Sequence, residues 1–293
     1  MKTDKIIYAV IGPTASGKSA YAVRLAEKIG GEVISGDSMQ IYRGMDIGTA
    51  KPTLSEMRGI KHHLIDVADI TEPYSAMRFV ESASSAIEDI FSRGNVPIIA
   101  GGTGMYIEML ISGVRPPANE SDPELREELY RYARENGADA LHKRLAEADP
   151  EAAAAIHPNN VKRVVRALEI CYLSGMTKTE SDAASRENAP EYEVCTVMLA
   201  PKDRAELYAR IESRVDSMFE LGLAREVESL CKRGLRTTPT ASQAIGYKEF
   251  YPFFDGECDL SAVREAVKIN TRHYAKRQLT WFARMHKDET ILI

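Results

Sequence analysis

Residues 12–19 read GPTASGKS and carry the clearest sign of chemistry in the chain. Gly, four residues, Gly, Lys and Ser form the pattern of a P-loop, in which backbone N–H groups and the start of the next helix converge on phosphate oxygens. Lys18 adds a positive charge, and the hydroxyl of Ser19 is placed to bind Mg²⁺. The loop predicts phosphate binding, with a glycine-rich turn that holds no ligand as the alternative. The predicted binding residues are Gly12, Pro13, Thr14, Ala15, Ser16, Gly17, Lys18 and Ser19.

A second polar segment, SGDSMQIYRGMDIGTAKP at 35–52, begins where a predicted strand ends. Parallel sheets present their ligand-binding loops at the carboxyl ends of the strands, so we expect Asp37 to face the phosphate ligand. A carboxylate there can act as a general base, or it can simply cap the next turn. Phosphoryl transfer does not follow from the loop, because the diphosphate of any organic compound fits the same site. The polar cluster of Ser38, Gln40, Tyr42 and Arg43 is larger than a small acceptor needs.

Alternating strands and helices predict the architecture that holds these residues. An apolar strand precedes the P-loop, an amphipathic helix that ends at Gly30 follows it, and further strands alternate with helices. This order predicts an α/β fold with a parallel sheet, as in P-loop NTPase-like cores. The predicted strands cover 5–12, 31–38, 95–104 and 192–201, and the main helices cover 75–93, 203–233 and 260–285.

The pattern changes from Asp122 onward. Successive helical segments with Asp or Asn starts and Gly ends follow one another without a strand between them. We therefore predict a helical insertion domain at 118–190 between two core segments, 1–117 and 191–293.

Composition excludes several classes of protein. The chain of 293 residues is 44% hydrophobic, and its apolar runs are far shorter than the roughly 20 residues that span a bilayer. With no signal-peptide pattern before the first strand, we expect a cytoplasmic protein. The four cysteines are scattered without a CxxC pair, which indicates reduced thiols. A net charge of −5 argues against a uniformly basic nucleic-acid binder, but local basic patches remain possible.

Seven motifs occur in the order and spacing of the bacterial tRNA dimethylallyltransferases, also called tRNA isopentenyltransferases. The chain resembles this family from Gly12 to about Arg284, and several of the motifs are specific to it rather than to P-loop proteins in general. Eukaryotic members carry an added zinc finger, whose pattern this sequence lacks. The motifs are GPTASGKS, SGDSMQIYRGMDIGTAKP, HHLID, GGTGMYI, NNVKRVVRALE, QAIGYKE and KRQLTWFAR.

The resemblance implies a reaction. The family moves a dimethylallyl group from dimethylallyl diphosphate to N6 of the adenosine 3′ of the anticodon, in tRNAs that read codons beginning with U. Diphosphate is released, so the P-loop resembles a holder of the leaving group. Mg²⁺ is the implied cofactor with Ser19 as its protein ligand, the implied partners are the tRNA anticodon stem-loop and dimethylallyl diphosphate, and we expect a monomer.

The resemblance also implies roles for individual residues. Asp37 resembles the base that deprotonates the adenine amine, and Thr103 resembles a residue that positions the reacting centre, although Thr103 could also cap a helix. Lys18 and Arg214 resemble the cations that contact the diphosphate, although Arg214 could also lie on a solvated helix face. The implied tRNA-binding residues are Asp37, Ser38, Met39, Gln40, Thr103, Arg126, Lys162, Arg163, Arg166, Gln243, Gly246, Tyr247 and Lys248.

Two basic segments could meet RNA phosphates. Arg163 and Arg166 are three residues apart on a predicted helix whose Val164, Val165 and Leu168 can face the core. The last long helix is rich in cations, which either contact RNA or form a solvated face. His62 and His63 in HHLID are expected to be structural, since no third ligand stands at zinc spacing. The cations of the last helix and its end are Arg264, Lys268, Arg272, Lys276, Arg277, Arg284 and Lys287.

Two other functions remain open from the residues alone. A small-molecule or nucleoside kinase would bind ATP on the same loop, use Asp37 to activate a hydroxyl and use the helical insertion as a lid. A non-enzymatic RNA-binding module would not need the intact set of P-loop residues and Asp37. The donor separates these functions, because a kinase consumes ATP whereas a prenyltransferase releases diphosphate from dimethylallyl diphosphate.

Overall fold

The computed structural model describes residues 5–113, 122–184 and 192–293. The chain divides into two compact units, one formed by Met1–Ile111 with Glu191–Ile293 and the other by Ser112–Pro190. The domain boundaries predicted from the sequence, near residues 118 and 190, lie outside the described residues.

A six-stranded sheet forms the centre of the first unit, and every neighbouring pair of its strands is parallel. Its order is β3-β2-β4-β1-β5-β6, so the strand that leads into the P-loop lies inside the sheet. The prediction of a parallel α/β core is confirmed. The two edge strands β3 and β6 were not predicted. The strands are β1 (Ile6–Ile11), β2 (Gly31–Ser35), β3 (His62–His63), β4 (Val96–Gly101), β5 (Glu193–Ala200) and β6 (Glu289–Leu292).

Helices cover the sheet and build the second unit. None of those in the described residues is long and apolar enough to cross a membrane. Their bounds, in chain order, are α1 (Lys18–Ile29), α2 (Leu54–Met57), α3 (Ala76–Ser92), α4 (Gly104–Ile111), α5 (Pro123–Asn136), α6 (Ala138–Ala148), α7 (Pro150–Ala155), α8 (Val161–Ser174), α9 (Lys178–Ala184), α10 (Arg204–Glu220), α11 (Leu223–Lys232), α12 (Tyr251–Phe254) and α13 (Leu260–Arg284). Short 3₁₀ turns at Leu235–Thr237, Ala241–Gln243 and Lys248–Phe250 lie between α11 and α12.

The P-loop is held close to the neighbouring strand. Gly12 has φ of +152°, and a Cβ atom built there would lie 2.5 Å from the carbonyl oxygen of Leu199 in β5. Only glycine permits both the backbone angle and this approach. The loop then leads directly into α1, whose first residue is Lys18, so the positive end of the helix points into the turn.

The second unit consists of α5 to α9 and has its own apolar core. The N-cap of α5 is Asp122, whose carboxylate accepts hydrogen bonds from the N–H groups of Glu124 and Leu125. Helix α8 buries Val164 and Leu168, as its spacing predicts, and it ends at Gly175. The prediction of a strand-free helical segment therefore holds across residues 122–184.

Candidate active site

The carboxyl ends of β1, β2 and β4 meet at one cavity of about 320 Å³ in the first unit. Each strand delivers one wall, namely the P-loop after β1, residues 37–40 after β2 and residues 100–102 at the end of β4. Helices α10 and α13 and residues 243–248 complete it. The polar lining residues are Thr14, Lys18, Ser19, Asp37, Ser38, Gln40, Thr49, Arg214, Gln243, Lys248, Thr271, Tyr274, Arg277 and Gln278.

Two cations of this cavity are poorly supplied with partners. The ammonium group of Lys18 donates to the carbonyl of Pro13 at 2.6 Å. Burial and, next, the charge of Arg214 lower the pKa of Lys18 to about 7, although Asp37 acts in the opposite direction. Among the described residues, Arg214 makes long contacts, 3.4 Å to Thr14 Oγ1 and 3.5 Å to Thr49 O, and its buried Nε has no partner there. Two half-buried cations, with no carboxylate hydrogen-bonded to either one in the described ranges, favour an anionic ligand beside them.

Hydroxyl groups tie together the segments that follow β2 and β4. The backbone N–H of Ser38 donates to Thr103 Oγ1 at 3.0 Å, and this hydroxyl donates in turn to Ser38 Oγ at 3.2 Å. Asp37 Oδ1 accepts from the N–H of Met39 at 2.8 Å. The capping role considered for Asp37 therefore exists, yet its second oxygen has no hydrogen-bond partner in the part of the chain that is described.

The side chain of Gln40 is oriented by contacts at both ends of its amide. Its Oε1 accepts from Ser35 Oγ at 3.0 Å, and its Nε2 donates to the carbonyls of Thr49 and Ala50, each at 3.3 Å. Since the carbonyls of Thr49 and Ala50 can only accept, they fix which end of the amide is the NH₂ group, and the Ser35 hydroxyl can donate to the other end.

A profile of IPP transferases matches residues 40–285, which is most of the chain. The chain belongs to the IPP transferase family. Among its relatives are the tRNA dimethylallyltransferase of Geobacillus thermodenitrificans, 49% identical over 96% of this chain and 88% of the relative, and that of Bacillus subtilis, 46% identical with the same coverage.

Solved structures agree with this assignment. The full-length tRNA isopentenylpyrophosphate transferase of Bacillus halodurans is 44% identical, with a TM-score of 0.72 over 99% of this chain and 90% of that one. A eukaryotic dimethylallyltransferase acting on tRNA is 33% identical, with a TM-score of 0.82 over 95% of this chain and 70% of that one. Membership of this family supports the prenyltransferase prediction and not the kinase alternative.

Helix α13 of this IPP transferase also contributes lining residues that the sequence analysis did not name, among them Gln278 and Tyr274. Gln278 is buried, accepts from the N–H of Thr14 at 2.8 Å and donates to the carbonyl of Gly102 at 2.9 Å, so it links the P-loop to the end of β4. The hydroxyl of Tyr274 lies 3.5 Å from the same carbonyl. The glutamine of the motif KRQLTWFAR is the sequence signal for this link, although the motif and its surroundings are dominated by cations.

The segment 243–248 divides into residues that line the cavity and one that does not. Gln243, Gly246 and Lys248 line it together with Met39. Tyr247 is fully buried, and its hydroxyl donates to Glu226 at 2.7 Å. The family resemblance implied a tRNA contact for Tyr247, but its side chain is therefore buried in the protein interior.

The basic residues predicted to meet RNA in the second unit fall into two kinds. Lys162 and Arg163 are exposed, and neither has an ion pair among the described residues. Arg126 and Arg166 both bind the carboxylate of Glu169, at 2.8 and 2.6 Å. Glu169 is fully buried, and although burial alone would raise its pKa, the two guanidinium groups hold it below the usual range.

Several cations of the terminal helix are already paired with α10. Lys268 binds Asp216 at 2.8 Å, and Arg272 binds Glu212 at 2.5 Å. Their charge is therefore partly neutralised. At the opposite edge of the sheet, His63 contacts buried Glu32 at 2.7 Å. No group of three or more possible metal ligands occurs in the described ranges.

Proposed function

We propose that this protein transfers the dimethylallyl group of dimethylallyl diphosphate to N6 of the adenosine 3′ of the anticodon, in tRNAs that read codons beginning with U. One observation carries the proposal: two half-buried cations, Lys18 and Arg214, and the carboxylate of Asp37 line the same cavity of about 320 Å³. Such a cavity can hold a diphosphate on one side and a nucleophile that loses a proton on the other. We further propose that the protein acts as a cytoplasmic monomer.

The P-loop side holds the leaving group. Backbone N–H groups of the loop, Lys18 and Arg214 contact the diphosphate, whose negative charge grows as the carbon–oxygen bond breaks. Ser19 lines the cavity, and its hydroxyl would be the protein group that holds Mg²⁺. Bound Mg²⁺ adds positive charge to the diphosphate site.

The carboxylate side activates the acceptor. The lone pair of an adenine N6 is delocalised into the ring, so the amine is a poor nucleophile until its proton has an acceptor. As the bond from N6 to the allylic carbon forms, the carbon–oxygen bond breaks, its electron pair leaves with the diphosphate, and Asp37 takes the N6 proton. Thr103 holds Ser38, and with it the backbone next to Asp37, in place.

An adenine within a stacked anticodon loop has to leave the stack before it can react. We assign recognition of the extruded base to Ser38, Met39 and Gln40, with Gln243, Gly246 and Lys248 at the other wall of the cavity. Contacts with tRNA phosphates are assigned to Arg126, Lys162, Arg163 and Arg166 of the second unit.

Nucleoside mass spectrometry tests the proposal. Unmodified tRNA incubated with the protein, Mg²⁺ and dimethylallyl diphosphate should gain one dimethylallyl group on adenosine, and ATP should not substitute for the donor. Lys18→Ala should slow the transfer by raising its activation free energy by about 2 to 4 kcal/mol, because it removes a preorganised positive charge that stabilises the leaving diphosphate. ATP consumption in the presence of a hydroxyl acceptor would instead indicate a kinase, and wild-type rates in Lys18→Ala would contradict the leaving-group site.

A further inference from the structure

The carboxylate of Glu226, which does not line the cavity, accepts four hydrogen bonds. Glu226, on α11, accepts the backbone N–H groups of Asp46, Ile47 and Gly48 at 3.2, 2.7 and 3.1 Å, and the hydroxyl of Tyr247 at 2.7 Å. A carboxylate offers about four acceptor positions, so this group is saturated. Hydrogen bonds to an ionised acceptor are stronger than neutral ones, and three of these bonds hold consecutive residues of one segment.

Tyr247 also holds residues 46–48 in place by packing against them. Its ring lies against Gly48 so closely that a Cβ atom built there would be 2.4 Å from it. Burial and the neighbouring Glu226 raise the pKa of Tyr247, so its hydroxyl keeps its proton and remains a donor. Neither Glu226 nor Tyr247 lines the cavity, and hence neither can touch a substrate there.

The anchored backbone leads directly to groups that do line the cavity. The carbonyls of Thr49 and Ala50 accept from the amide of Gln40, each at 3.3 Å, and the carbonyl of Thr49 also accepts from Arg214 at 3.5 Å. Residues 46–48, which Glu226 holds, immediately precede these two carbonyls. A shift of residues 46–48 therefore moves the carbonyls of Thr49 and Ala50, which orient Gln40 and Arg214.

We infer that Glu226 and Tyr247 are positioning residues for prenyl transfer. Together they hold residues 46–50 so that the carbonyls of Thr49 and Ala50 orient Gln40 on the acceptor side of the cavity and Arg214 on the donor side. The inference rests on the proposed function, because Gln40 and Arg214 have the stated roles only in that reaction.

Two variants and one matched control test the inference. Tyr247→Phe keeps the ring against Gly48 and removes only the hydroxyl, so kcat should fall roughly threefold to tenfold, the size of one hydrogen bond. Glu226→Gln exchanges one acceptor oxygen for an NH₂ group that faces N–H donors, and kcat should fall roughly 10- to 100-fold, as for a slightly misplaced reacting group. The control is Glu228→Gln on the same helix, because Glu228 is exposed and, among the described residues, bonds to Lys232 alone.

A double-mutant cycle with Gln40→Met separates positioning from stability. If Glu226 acts through the carbonyls that hold Gln40, the loss caused by Glu226→Gln should be at least about threefold smaller in the Gln40→Met background. Losses that multiply independently, or an unchanged kcat in both Tyr247→Phe and Glu226→Gln, would overturn the inference. Should Glu226→Gln fail to fold, Tyr247→Phe in the same cycle decides the question. An inactive wild type and control would overturn the proposed function as well, which distinguishes the two failures.

Discussion

Donor binding by Lys18 should depend on pH in a range where most lysines do not titrate. Burial, followed by the positive charge of Arg214, lowers the pKa of Lys18 to about 7 in the donor-free protein. A bound diphosphate supplies the missing negative partner, and it should raise this pKa again. The protein therefore has to take up a proton when it binds donor above pH 7.

The size of the effect follows from that pKa. At pH 8 the neutral form of Lys18 outnumbers the charged form by about ten to one, since the pKa lies about one unit lower. From pH 7 to pH 9 the charged fraction falls about fifty-fold, and donor affinity should fall with it, provided that the bound lysine stays charged. Phosphate groups titrate near pH 6, so the charge of the donor itself changes little in this range.

Isothermal titration calorimetry with an unreactive thiodiphosphate analogue of the donor, in buffers of different ionisation enthalpy, measures both affinity and proton uptake. Uptake should approach one proton per bound analogue above pH 8. The control is Lys18→Arg, whose guanidinium stays charged, so its affinity should be nearly constant from pH 7 to 9. Equal pH dependence in wild type and Lys18→Arg, or no proton uptake at pH 8.5, would refute the reasoning.

Three further substitutions have defined outcomes. Asp37→Asn cannot take the N6 proton, so single-turnover transfer at saturating substrates should fall by roughly 10² to 10⁴; normal chemistry with weakened tRNA binding would make Asp37 a base-reading contact instead. Arg163 is exposed and unpaired within the described residues, so Arg163→Ala should reduce the salt dependence of stem-loop binding, followed by fluorescence anisotropy, by about one unit of slope; an unaltered slope would place the phosphate contacts elsewhere. Gly48→Ala would put a methyl group 2.4 Å from the ring of Tyr247, so urea denaturation should show a loss of about 1 to 3 kcal/mol in the free energy of unfolding; wild-type stability would mean that the segment yields easily.

The fold around the P-loop could be predicted because its signals are local. A short stretch of sequence is enough to identify the apolar strand β1, the glycines of the loop and the amphipathic helix α1. Edge strand β6 could not be predicted in the same way. It has only four residues, and it exists through pairing with β5, which lies about ninety positions earlier.

The same distinction applies to the candidate site. The position of Asp37 after a predicted strand was enough to predict that it lies near the P-loop, because strand ends can be recognised locally. The spacing of Arg166 and Glu169, three residues apart on α8, was visible in the sequence, but the complete burial of Glu169 depends on the packing of α5 to α8. Glu226 looked like any charged residue of an amphipathic helix, since its four donors come from segments far away in the chain.

The order of the sheet also has a consequence for synthesis on the ribosome. Strand β1 is flanked by β4 and β5, and β5 emerges roughly 180 residues after β1. At usual translation speeds, one edge of this apolar strand waits about 10 to 40 s for its partner. The second unit, contiguous in the chain and with a core of its own, is made within that interval. Until β5 emerges, one edge of β1 therefore has no strand partner, and an unpaired edge of an apolar strand is a site at which chains aggregate.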